Sequence, residues 1–321
     1  MKTLVLGGTG FIGMHVAREL AARGEEIVIA GARAERSPAE LKEFFGEAPQ
    51  QERIDLTVSY DVFDAIARIK PDKVFDASGY APKSMSPARE VHLRTACALN
   101  VIEACRIMNV GQLTITSSSD IYWGLDSKYY PYSEAGPIAI TEQKDHHYIQ
   151  AGPKKLLEAI AAIFQRQTDL DIRIVRIDGT YGPLYNKMIN VVARMVHAAV
   201  RGVAMDLTSD KGRLPCADMA WDFNYVKDHA YGMALVHQAI APEHKVYNVG
   251  SGKTTRLDEF ADAVNALFPG AIPPLPLHPH GPSSDQRYLD ITRVRALGYE
   301  PRWSVATGVA DYVQWLQSHD V

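Results

Sequence analysis

Cysteine is scarce in these 321 residues, which contain only Cys97, Cys105 and Cys216. Their spacing matches no zinc motif and their odd number closes no set of disulfides, so a reducing, cytoplasmic setting is expected. Cys97 and Cys105 fall in a helical pattern and read as small core residues. Charge of one sign is not in excess. Lys and Arg number 34 against 38 Asp and Glu, and the net −4 implies no general attraction to nucleic acid. Long apolar runs are missing, so no segment reads as crossing a bilayer. An apolar strand pattern begins at residue 2, so no secretory leader is expected. Internal repeats and low-complexity tracts are absent. What remains is ordinary globular composition, in a chain long enough for one large domain or two smaller ones.

The most informative stretch is the first. Leu4-Val5-Leu6 reads as a buried strand, Gly7-Gly8-Thr9-Gly10-Phe11-Ile12-Gly13 as the turn out of it, and residues 14–22 as a helix. Glycine is needed where backbone turns tightly and approaches a phosphate, because a Cβ would block the approach. The helix behind the turn offers backbone N–H groups and a positive dipole end to a pyrophosphate. Gly8, Gly10 and Gly13 satisfy the dinucleotide fingerprint, between a strand and a helix as that fingerprint requires.

The second strand, Ile27-Val28-Ile29-Ala30, ends in Gly31-Ala32-Arg33, with Arg36 just beyond. A site for NAD usually carries an acid here to bond the ribose 2′-hydroxyl. Arginine would instead pair with a 2′-phosphate, so NADP(H) is the expected preference over NAD(H). Arg53-Ile54-Asp55-Leu56 reads as a third strand, with Asp55 and Leu56 positioned toward the adenine. Residues 62–69 have helical spacing. Val74-Phe75-Asp76-Ala77 reads as a fourth strand, ending in Ser78-Gly79-Tyr80. Residues 89–108 read as a long helix, 112–116 as a fifth strand opening into Ser117-Ser118-Ser119-Asp120-Ile121-Tyr122, 148–165 as a helix and 171–177 as a sixth strand. Such alternation predicts an α/β fold with a doubly wound parallel sheet, whose ligands lie at the carboxyl ends of the strands. The glycine turn, Ser78, Gly79 and Ser118 are therefore expected to share one crevice.

Beyond residue 178 the texture changes. Short strands and helices alternate with a proline-rich stretch at 269–282. The expected division is a cofactor domain over 1–178, joined by 222–248, and a smaller lobe over 179–221 and 249–321.

These motifs together resemble the extended short-chain dehydrogenase/reductases of the NAD-dependent epimerase/dehydratase family. The resemblance rests on Gly7 to Gly13, on Ser117-Ser118 with Tyr122, and on Arg176 followed by Tyr181-Gly182-Pro183. Asp222-Phe223-Asn224-Tyr225-Val226, Tyr247-Asn248-Val249-Gly250 and Leu297-Gly298-Tyr299 with Pro301 extend it over nearly the whole chain. It implies a Rossmann-type cofactor domain, a C-terminal substrate lobe, and hydride transfer to or from a small polar substrate, often a nucleotide-activated sugar. A homodimer is the candidate assembly.

The family's chemistry uses a tyrosine and a lysine four residues apart on one helix, with a serine. The tyrosine exchanges a proton with the substrate hydroxyl, the lysine lowers the tyrosine pKa and holds the ribose, and the serine bonds the reacting oxygen. Ser118 matches the serine. The helix reads Tyr148-Ile149-Gln150-Ala151-Gly152-Pro153-Lys154-Lys155, so no tyrosine stands four before either lysine. Tyr148 and Lys155 are seven apart, on one face of a continuous helix. Pro153 also suits a first helical turn, which would leave Tyr148 on a preceding loop. Tyr148 is the expected acid/base and Lys155 the expected ribose ligand, with Lys154 second. The asparagine usual on the long helix is replaced by Arg94. Alternative acid/bases are Tyr80, Asp120, Tyr122 and His147, and a cofactor-binding protein without turnover is the competing reading. His278, His280, Arg287 and Asp290 are candidate substrate contacts. His146-His147 reads as a solvated loop pair, and no metal site is expected.

Overall fold

The computed structural model describes residues 1–32, 35–79, 86–140, 148–185, 188–206, 215–279, 281 and 286–319; for residues 148–150 it describes the backbone. The chain forms two compact units. The first comprises Met1–Leu125, Ala135–Ile177 and Ala230–Asn248; the second comprises Asp126–Glu134, Asp178–His229 and Val249–Val321.

The first unit follows strand–helix alternation: β1 (Lys2–Leu6), α1 (Phe11–Ala22), β2 (Glu26–Gly31), α2 (Pro38–Phe45), β3 (Gln50–Arg53), α3 (Ser59–Ile69), β4 (Lys73–Asp76), α4 (Pro87–Ile107), β5 (Gln112–Ser118), α5 (Tyr148–Gln167) and β6 (Asp171–Ile177). The second unit begins with β7 (Gly179–Tyr181), α6 (Val191–Arg201), β8 (Ala220–Trp221) and β9 (Phe223–Tyr225). It continues through the first residues of α7 (Val226–Gln238) and, after β10 (Val246–Val249), closes with β11 (Thr255–Arg256), α8 (Leu257–Leu267), α9 (Thr292–Arg295) and α10 (Val305–Ser318).

Seven strands form one sheet in the order β10-β6-β5-β4-β1-β2-β3. Register pairs from β3 across to β6 are all parallel. This is the doubly wound arrangement expected from the sequence, with the strand order reversing between β1 and β4. Leu4, Val5 and Leu6 are at most 1% exposed, as strands covered on both faces require. One face packs Leu4, Val28, Val74, Leu113, Ile115 and Ile174 against α3, α4 and α5. α3 offers Val62, Ala65, Ile66 and Ile69, a helical stripe. Ser86 caps α4 through its hydroxyl, with Pro87 in the first turn.

The sequence reading misplaces one strand and misses one helix. β3 lies at Gln50–Arg53, before the apolar Ile54, because an edge strand can be polar and still pair its backbone: Val28 stands opposite Gln50. α2 buries only Leu41 and has little apolar signal, but Ser37 and Glu40 form a capping box around Pro38.

In the second unit β7 pairs with β9 in parallel, and β8 with β11 antiparallel. Helices α6, α8 and α10 pack around Tyr181, Phe223, Tyr225, Phe260 and Tyr312. No helix among the described residues is long and apolar enough to cross a membrane.

Candidate active site

The glycine turn leaves β1 at Gly7, whose φ of +70° favours glycine, and is tied down where the Gly8 N–H donates to the Ala30 carbonyl at 2.8 Å. Gly13, in the first turn of α1, lies so close to the turn that a Cβ there would sit 2.1 Å from the Gly7 oxygen. Gly10 differs. Its backbone is extended, with φ −90°, and a Cβ built on it would meet only the Gly7 oxygen, at 3.2 Å. The fold therefore demands a glycine at positions 7 and 13 more strongly than at 10. Phe11 and Ile12 begin α1, and Gly10 supplies no side-chain cap to it. Such a helix start is suited to a phosphate.

Arg36 braces this turn. Its Nε donates to the Thr9 carbonyl at 3.1 Å, and its Nη1 lies 3.4 Å from Glu40. Thr9 packs its hydroxyl against Gly31, where a Cβ would come within 2.1 Å of Oγ1. Arg33 lies outside the described residues. Beyond β3, Asp55 Oδ1 accepts from the Thr57 N–H at 2.9 Å and the Thr57 hydroxyl at 2.7 Å, and the Leu56 carbonyl accepts from Asn100 Nδ2 at 2.9 Å.

Past β4, the Ser78 N–H donates to Asp76 Oδ1 at 2.8 Å, and Gly79 is exposed. Ser118 ends β5. Its hydroxyl accepts from the Asp120 N–H at 3.2 Å and so caps the short helical turn that follows. Asp76, Ser78, Arg94, Cys97, Thr116, Pro153 and Lys154 line a cavity of about 50 Å³, completed by Ala98, Ile115 and Leu157.

The two lysines of α5 are used differently. Lys154 Nζ donates to the Thr116 carbonyl at 2.6 Å and lines the cavity. Lys155 Nζ donates to the carbonyls of Trp123, at 3.2 Å, and Ala139. Lys154 is thus the lysine of the pair that lines the cavity beside Ser78. Burial pulls the Lys154 ammonium below its ordinary pKa; the charge of Asp76 opposes this and Arg94 adds to it. Burial likewise lowers Lys155. Asp76 shifts the other way: burial raises its carboxyl, against bonds from Ser78 and the charge of Lys154. Arg94 is bound to Glu90, with Nη2 and Nε at 2.8 and 3.1 Å from Oε1.

Helix α5 starts at Tyr148 and carries Pro153 inside it, so the alternative of a helix beginning at Pro153 does not hold. The Tyr148 side chain, Tyr80 and His147 lie outside the described residues. Tyr122 is fully buried and committed elsewhere. Its hydroxyl accepts from Arg176 Nη1 at 2.7 Å and donates to Asn248 Oδ1 at 2.9 Å. Arg176 in turn grips Glu158 at 2.6 Å, and Ser117 donates to Glu158 at 2.5 Å. In the second unit, Asp218 accepts from the His278 N–H at 2.7 Å and Asp290 from the Thr292 N–H at 2.9 Å; His280 lies outside the described residues. The described residues contain no group of three or more His, Cys, Asp and Glu that could hold a metal.

Sequence reasoning did not single out Asp76 as a lining of this cavity, nor place Lys154 ahead of Lys155. The signal for Asp76 was a carboxylate in the apolar run Val74-Phe75-Asp76-Ala77.

Residues 3–250 match the model of the NAD dependent epimerase/dehydratase family. The chain is 25% identical over 320 residues to UDP-glucuronic acid decarboxylase 3 of Arabidopsis thaliana, covering 96% of this chain and 87% of that one. It is 23% identical over 354 residues to Protein CapI of Staphylococcus aureus, covering 98% of each. Among solved structures, UDP-glucose 4-epimerase of Thermotoga maritima with UDP-glucose superposes with a TM-score of 0.81, at 21% identity over 99% of both chains. UDP-glucose 4-epimerase of Thermus thermophilus in complex with NAD gives 0.74, at 24% identity over 98% of both.

Proposed function

We propose that this chain, which belongs to the NAD-dependent epimerase/dehydratase family and is an NAD-dependent enzyme of that type, transforms a nucleotide-activated sugar by removing and returning hydrogen at one of its hydroxyls. Relatives named for UDP-sugar chemistry support the substrate class. The observation that carries cofactor binding is Gly10, whose backbone is extended and where a Cβ would meet only the Gly7 oxygen, at 3.2 Å, a far milder contact than at Gly7, Gly8 or Gly13. In this reading Gly7 to Gly13 receive the pyrophosphate, and Asp55 and Leu56 border the adenine. Ser78 and Gly79 line the far side. Bound NAD supplies the hydride acceptor and, for a reaction with no net oxidation, the donor that returns it.

The chain's own groups then do the rest. Lys154 takes the role of holding the ribose, since the ammonium of Lys155 is spent on two carbonyls. Ser118 bonds the reacting oxygen. Tyr148 takes and returns the hydroxyl proton; a tyrosine suits the role because a nearby cation brings its pKa of about 10 toward neutrality. The second unit recognises the sugar nucleotide. Tighter binding of NADP(H) than NAD(H) is the finer proposal, because β2 ends without an acid and Arg33 and Arg36 follow. For assembly we favour a homodimer: Leu99 and Ile107 of α4 and Leu156 and Ile163 of α5 are exposed apolar residues.

Titration of NAD(H) and NADP(H) into wild type and Gly10→Val tests the first step. Loss of binding in a folded variant is expected, and normal binding would make the turn purely structural. With UDP-sugars as substrates, Tyr148→Phe should lower turnover by about 10²–10⁴-fold with cofactor affinity little changed. Full turnover in that variant would assign the proton to another group.

A further inference from the structure

Asp76 stands where packing alone would place an apolar residue. It follows Val74 by two on β4, so both side chains leave the same face of the sheet. On that face Val74 joins Leu113, Ile115 and Ile174, with Val101 and Ile102 of α4 and Ala161 of α5. A carboxylate set into such a layer is costly unless it has a cationic partner. Register places Asp76 opposite Ile115, and the next residue, Thr116, holds the Lys154 ammonium through its carbonyl at 2.6 Å. Asp76 and Lys154 thus face one cavity from neighbouring elements. At about 50 Å³ that cavity takes a few water molecules, since one needs roughly 10–15 Å³.

We infer that Asp76 is a positioning residue for Lys154: across the water-sized cavity they share, its carboxylate keeps the ammonium charged and in place for the cofactor ribose. The inference rests on the reading of Lys154 as the ribose ligand. Arg94, on the α4 side of the cavity, is paired with Glu90 on its own helix and repels the ammonium. Two further acids bear on Lys154: Asp120, after β5, and Glu158, on its own helix, the latter already bound by Arg176. Of these acids, Asp76 is the one that shares the Lys154 cavity.

The test is ¹³C NMR titration of the full chain without cofactor, with the Lys154 Cε resonance assigned by comparison with Lys154→Arg. Asp76→Asn should lower the Lys154 midpoint by about one pH unit or more, and Asp76→Glu should restore most of it. In wild type the Asp76 Cγ and Lys154 Cε resonances should each respond to the other's transition, a check that needs no folded variant. An unchanged midpoint in Asp76→Asn, or mutually blind titrations in wild type, overturns the inference. Failure of the underlying reading looks different: Lys154→Met would then bind NAD as tightly as wild type, whatever Asp76 does.

Discussion

Glu158 and Lys154 stand one turn apart on α5, and both carry charge into the first unit. Around Glu158 both carboxylate oxygens accept bonds from Arg176, Ser117 adds another, and Arg176 goes on to Tyr122 and Asn248. All five residues are at most 6% exposed. Around Lys154 there is, among the described residues, one carbonyl bond, a small cavity and an acid across it. No ion pair within 4.0 Å involves Lys154 among the described residues. The first cluster is closed and has the form of scaffolding. The second leaves a small cavity beside Lys154 that takes a few water molecules. Buried charge by itself therefore does not mark a site.

Breaking the closed cluster should produce the largest effect. Glu158→Ala leaves the Arg176 guanidinium buried without its carboxylate and should cost about 3–5 kcal/mol in urea denaturation. A loss below about 1 kcal/mol would erase the contrast between the two clusters.

Buried histidines extend the comparison to protons. Burial lowers His237 well below its ordinary pKa, and His229 falls to about 3. Each is neutral in the fold and protonated in the unfolded chain below about pH 6.5. The unfolded state then binds more protons, so the stability contributed at neutral pH is lost as pH falls below about 6.5 toward the folded value. Each histidine should account for about 1.4 kcal/mol per pH unit. Denaturation midpoints of His229→Gln at about pH 5.5 and 4.5 should show a shallower acid loss than wild type. An equal slope would mean His229 is protonated in the fold.

Much of the fold was legible because parallel strands covered on both faces write themselves as apolar runs. Leu4-Val5-Leu6 and Ile27-Val28-Ile29-Ala30 could hardly be anything else. β3 was misplaced because Gln50-Gln51-Glu52 pairs its backbone while its side chains are polar. In the site, the glycine turn was legible because its chemistry is local. Which of Lys154 and Lys155 lines the cavity was not, since Pro153 sits inside the helix and no tyrosine fixes the face. The partnership of Glu158 with Arg176, Tyr122 and Asn248 joins separate segments and exists only after folding.

The contrast between the two lysines of α5 reduces to one measurement: NAD dissociation constants for Lys154→Met and Lys155→Met, taken side by side with wild type. A hydrogen bond from a charged donor contributes about 1.5–3 kcal/mol. Lys154→Met should therefore weaken binding at least about tenfold, with Lys155→Met staying closer to wild type. A weakened Lys155→Met beside an unaffected Lys154→Met would contradict the account.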